Sequence, residues 1–111
     1  EAAAVSCAAR SACRAASRAA AGAGFAIAAA KLRANLAVGV GTATAHQVHA
    51  AIGFTHEYGL RHYTQRLWAW RSEFGNDRYW SERLGGEVAA RGAKNFWADL
   101  TARDDAAALA D

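Results

Sequence analysis

The sequence predicts an all-α protein, an antiparallel helical bundle, and three observations carry that prediction. Alanine dominates the first half of the chain, and alanine is the strongest helix former. Proline, which interrupts helices, is absent. Larger apolar residues recur at steps of three and four, the helical period. The 111 residues suffice for a single domain spanning 1–111. Hydrophobic residues make up 53%, but much of that is alanine. Burial therefore has to come from Phe25, Ile27, Leu32, Leu36, Leu67, Trp68, Trp70, Phe74, Trp80, Phe96 and Trp97, which makes for a marginal core.

Four helices are expected. The first runs from about Ala2 to Ala21 and stops at "AGAG", where Gly22 and Gly24 break it. The second runs from about Phe25 to Ile52, with an apolar stripe of Phe25, Ala29, Leu32, Leu36, Val40 and Ala43. Gly39 and Gly41 lie inside it at a cost in helix stability, which points to a close approach by another helix or a cofactor. "GFTHEYG" connects it to a third helix, from about Leu60 to Phe74, whose seam is Leu60, Tyr63, Leu67, Trp70 and Phe74. Gly75 stops that helix, and Asn76 or Asp77 caps a fourth, from about Arg78 to Thr101. Arg78–Glu82, Arg83–Glu87 and Glu87–Arg91 are at ion-pair spacing along it, and Gly85 and Gly86 are expected to kink it. Residues 102–111 have little to bury and are expected to fray. Leu32, Leu36, Leu67, Trp70 and Leu84 are the expected core.

Net charge is +3, and the basic residues are scattered, so no nucleic-acid surface is expected. Cys7 and Cys13 lie on different sides of the first helix, too far apart for a disulfide within it. They read as reduced, buried, small residues in a reducing compartment, which suggests a cytoplasmic protein. The arginine-rich, acid-poor start resembles a transit peptide, but an ordinary small-residue helix is the preferred reading. No contiguous apolar run reaches the roughly 18 residues of a membrane span. The chain lacks methionine and is expected to be a processed chain or a piece of a larger one.

Beyond Ala45 the composition changes. Histidines, a glutamine and the tryptophans Trp68, Trp70 and Trp80 crowd into "AHQVHAAIGFTHEYGLRHYTQRLWAWRSEFGNDRYW". His46 and His49 can share a helix face, but two ligands do not make a metal site. His56 and Glu57 would join them only if the loop folded back, so no metal is expected. Neither cysteine has a histidine nearby in sequence to activate it. Trp68 and Trp70 are two apart and cannot share one face, so one of them is expected at a partner surface rather than on a ligand. No phosphate loop, paired-acid site or Ser-His-Asp order is present, and catalytic residues are unassigned.

This segment resembles the C-terminal helical domain of acyl-CoA dehydrogenases. The family pattern is Gln, two residues, Gly-Gly, one residue, then Gly with an aromatic, and here it reads "QVHAAIGF", Gln47 to Phe54. "THEYGL", "HYTQRLWAW" and "FGNDRYWSERL" follow in the family's order, and "FAIAAAKLRANLAVGVGTATAHQ" is similar to the long helix leading in. The resemblance covers about Phe25 to Val88. It implies a four-helix bundle that contacts FAD and packs the oligomer of a flavoprotein oxidising the CH–CH bond of an acyl-CoA. It places Gln47, Ala50, Ala51 and Asn76 at the nucleotide. It also implies a larger flavoprotein chain or further copies of this one as partners.

The chain departs from the family at two points. Ala50-Ala51 replaces Gly-Gly, and Phe74 stands where some members carry the catalytic glutamate. Glu73 is adjacent, but on a continuous helix it would point about 100° away. The chain also lacks the N-terminal helical domain and the barrel that frames the flavin. It is therefore expected to be inactive alone, as a partial version of such a flavoprotein. The alternative is a helical interaction module that kept the fold and lost the cofactor.

Overall fold

The computed structural model describes residues 2–17 and 23–108, and most of the described residues are helical, with no strand among them. The helices are α1 (Ala2–Ser17), α2 (Ala23–His49), α3 (Leu60–Ser72), α4 (Asp77–Arg91) and α5 (Phe96–Ala108). Short 3-10 turns occupy Ala50–Phe54 and Ala93–Asn95.

The architecture follows from the length of α2. Its 27 residues make a rod of about 40 Å, longer than any other helix here, so its neighbours cover it in sections. α1 has 16 residues, about 24 Å. The five residues joining it to α2 reach only about 17 Å, so α1 runs antiparallel to α2 along its first half. It packs there through Val5, Ala8, Ala12 and Ala15, a stripe with Ala12 buried.

On another side of α2, α3 and α4 succeed one another rather than lying side by side. Thr64 meets His46, Trp68 meets Thr42, and Asp77 meets Asn35. Farther on, the Glu87 carboxylate lies against Gly24. Chain position rises along α3 and α4 as it falls along α2, so both helices are antiparallel to it. The first half of α2 is thus wrapped by α1 and α4, whereas among the described residues its second half is covered by α3 and the Ala50–Phe54 turn. The outcome is long and thin, 50 × 30 × 22 Å with a radius of gyration of 16.9 Å, against about 13 Å for a compact chain of this length.

The contact of α2 with α3 and the first turn of α4 is largely polar. Lys31, Asn35, Thr42 and His46 form one row, at helical steps of four, seven and four. Lys31 Nζ donates to the Trp70 carbonyl at 2.6 Å, and Asn35 Nδ2 to the Arg71 carbonyl at 3.2 Å. These carbonyls belong to the last turn of α3, which has no helical partner for them. Thr42 Oγ1 accepts from Trp68 Nε1 at 3.1 Å while donating to the Val38 carbonyl at 2.7 Å.

Several expectations change as a result. Leu32, Leu67 and Leu84 are half-buried as core residues, but Leu36 and Trp70 are 53% and 51% exposed. The α3 seam is Leu60, Thr64, Leu67 and Arg71, not Tyr63, Trp70 and Phe74, because hydrogen bonds rather than apolar area set the phase. α3 ends at Ser72, two residues early. The expected fourth helix is two helices, broken at Gly92, which has φ +87°. Gly85 and Gly86 lie inside α4, and among the described residues no other element comes within 4 Å of where their side chains would begin. Cys7 and Cys13 are exposed, because the alanine stripe faces α2 instead. Arg78 pairs with Glu82 at 2.8 Å as expected. Arg91, however, pairs with Asp99 of α5 at 2.7 Å, and Arg83 lies over the Trp80 ring. Gly24 belongs to the first turn of α2 rather than to a break, and Gly22 lies outside the described residues.

Candidate functional site

Two places hold the polar side chains that the sequence singles out. The first is the end of α2 with the turn that follows. Gln47, Ala50 and Ala51 are exposed there, and Ala50 takes a left-handed φ of +46°. That conformation is unusual for a residue with a Cβ. Beside them His46 stacks on Phe54 with ring centroids 4.3 Å apart. Its Nε2 is 3.0 Å from Thr64 Oγ1, and Thr64 donates to the Arg61 carbonyl at 3.1 Å. Thr64 has one hydrogen to give, so His46 Nε2 is the donor. Its Nδ1 is buried without a hydrogen-bond partner, as is Arg61 Nε. His49 bonds the Ala45 carbonyl at 2.8 Å and leans on Tyr58. His56 faces the Arg61 guanidinium through both ring nitrogens, at 3.1 and 3.0 Å, of which a neutral ring accepts through only one. The histidines thus have separate partners, and the described residues contain no group of three or more metal-ligating side chains.

The second place is the α3–α4 junction. Asn76 is exposed and caps α4, its Oδ1 accepting from the Tyr79 amide at 3.0 Å. Asp77 accepts from Asn35 Nδ2 at 2.6 Å and from Arg71 Nη2 at 2.9 Å. The Asn35 and Arg71 hydrogen bonds hold its carboxyl below the usual carboxylate range, with the charges of Arg71 and Lys31 adding to the effect. Trp68, Arg71, Ser72, Asn76 and Asp77 line an open cleft of about 170 Å³. Above it the chain turns sharply. Phe74 is left-handed at φ +57° and 91% exposed, and Gly75 has φ +103°. Trp80 Nε1 donates to the Phe74 carbonyl at 3.0 Å.

These two places are apart. Asn76 adjoins Asp77 and hence Asn35, which is twelve residues from Gln47 along α2, about 18 Å. The structure brings Gln47, Ala50 and Ala51 together but not Asn76. Glu73 lies outside the helix at ψ 139°, so the expected helical offset between Glu73 and Phe74 does not apply. Gly39 lies near Arg71, but among the described residues no other element lies within 4 Å of where a side chain on Gly41 would begin.

Sequence reasoning missed the clamp of Lys31, Asn35, Arg71 and Asp77. The available signal was that Lys31, Asn35, Thr42 and His46 fall on one face of a largely apolar α2. The same residues interrupt every contiguous apolar run, yet Ala23–Phe54 as a whole is long and apolar enough to cross a membrane by length and composition. Comparison with protein-family models, curated proteins and solved structures finds no match for this chain.

Proposed function

We propose that this chain is an assembly domain that completes its core against other polypeptide, in the setting its sequence resemblance implies. That setting is the C-terminal, FAD-contacting and oligomerising domain of an acyl-CoA dehydrogenase-like flavoprotein, inactive on its own. The observation that carries the assembly role is the open core. Among the described residues no large side chain is fully buried, while Leu36, Val48, Phe54, Tyr63, Phe74 and Trp97 are more than half exposed. Exposed apolar surface on this scale marks interaction sites. In the flavoprotein setting Gln47, with Ala50 and Ala51 beside it, meets the nucleotide from the end of α2. Asn76 reaches the same FAD only if the ligand lies extended along the domain. The acyl-CoA and the rest of the flavin site belong to the larger partner.

A second reading, an interaction module without a cofactor, is favoured by the separation of Asn76 from Gln47 and by Ala50 and Ala51 in place of glycines. Flavin absorbance in the purified complete assembly distinguishes the two. The flavoprotein reading expects bound FAD that Gln47→Ala weakens, and FAD retained equally well by that variant refutes the assignment.

A further inference from the structure

We infer that the uncovered face of the second half of α2, from Leu36 to Val48, docks against the same face of a second copy of this chain. The inference rests on the proposed assembly role and names the surface and the partner.

Area gives the first argument. The chain exposes 7772 Å², whereas a folded monomer of this mass exposes about 5,900 Å². The excess, about 1,900 Å², exceeds the roughly 1,000 Å² per protomer that a stable homodimer hides.

The position of the surplus gives the second. α1 has 16 residues and α2 has 27, so about 16 Å of α2 projects beyond α1. On this length Leu36, Val40, Gly41, Ala43, Thr44, Gln47 and Val48 are all exposed. They form one continuous arc, opposite the polar row that engages α3. Val40 is 50% and Val48 76% exposed.

Chemistry gives the third. A two-fold contact sets each residue near its own copy, so a face bearing charge repels itself. From Ala34 to His56 the sequence contains no Asp, Glu, Lys or Arg. Gly41 is on the arc, and among the described residues no neighbouring element lies within 4 Å of where its side chain would begin. That leaves room for a second helix to approach closely. The outer face of α3 is apolar too, but Arg66 lies exposed between Tyr63 and Trp70.

Sedimentation velocity of the full chain across the micromolar range tests this, with circular dichroism to confirm that each variant folds. The expected result is a dimer. Val40→Glu should weaken it at least about tenfold with helix content unchanged, and Trp70→Ser should leave it intact. Val48→Glu, at a more exposed position, is the second variant should Val40→Glu fail to fold. A monomer at all concentrations would overturn the inference, as would a dimer indifferent to both glutamates or one lost only with Trp70→Ser. A monomer that still binds a larger flavoprotein chain would sink the inference and leave the proposed function standing.

Discussion

Replacing Asn35 with alanine tests the polar clamp directly. Asn35 is 3% exposed, and its amide donates to the Arg71 carbonyl and to the Asp77 carboxylate. The carbonyl bond is worth about 1 kcal/mol net and a bond to a charged group about 1.5–3 kcal/mol. Asp77 is half exposed, so water recovers part of the second value, which argues for its lower end. Alanine is the better helix former by about 0.5 kcal/mol. The expected net loss is about 2 kcal/mol, a fall in Tm of about 8 °C for a domain of this size. Thermal and urea unfolding at fixed protein concentration measure it, since association would shift both. The loss should also shrink in acid. The folded-state pKa of Asp77 lies below its ordinary value of 3.8. Its contribution is therefore complete above that value and is lost as pH falls through the depressed folded-state pKa. A loss below about 0.5 kcal/mol at neutral pH would refute the view that this clamp holds α3 and α4 to α2.

The junction yields three more expectations, all read by the same unfolding measurements. Gly75→Ala should cost about 2 kcal/mol or more, since φ is +103° and a Cβ would lie 2.6 Å from Tyr79 Cδ1 and 2.8 Å from Trp80 Nε1. A neutral result would mean the turn is not held in this form. Phe74→Gly should stabilise the isolated chain by up to about 1 kcal/mol, because the ring packs on little and the backbone is left-handed; a clear destabilisation would place the ring in an intramolecular contact. Asn76→Ala should cost about 1 kcal/mol through the lost α4 cap, and more than Arg78→Ala, whose ion pair with Glu82 is largely open to water.

Much of the helical layout was legible because it depends on local chemistry. Alanine content, the absence of proline, and Gly75 before Asn76 mark helices and their ends without tertiary knowledge. The phase of α3 was not legible. Tyr63 and Trp70 match an apolar seam as well as Thr64 and Arg71 match the real one, and an apolar count cannot register a seam made of side-chain-to-backbone hydrogen bonds. Leu36 and Trp70 were misplaced for the same reason. The break at Gly92 competed with the more conspicuous Gly85-Gly86 pair, and only the backbone angle distinguishes them. At the candidate site, Gln47, Ala50 and Ala51 lie together because only three and four residues separate them along the chain. The distance to Asn76 depends on α3 and α4 running in tandem, which no local pattern encodes.

The polar row on α2 also constrains motion. A helix faced with alanine and leucine can slide one turn along its neighbour at little cost, because one methyl group replaces another. Sliding α2 by one turn in one direction would put Ile27 where Lys31 now bonds and Val38 where Thr42 does; in the other, Gly39 would replace Asn35 and Ala50 would replace His46. Either way two of the four slots lose their polar side chain and the other two receive one of different length, so slippage by a turn is costly. The row therefore makes α2, α3 and the first turn of α4 one opening unit. Their amide protons from Lys31 to His46 and from Thr64 to Trp80 should exchange with solvent in a single cooperative event, while α1, which packs on α2 through a stripe of small side chains, opens on its own and sooner.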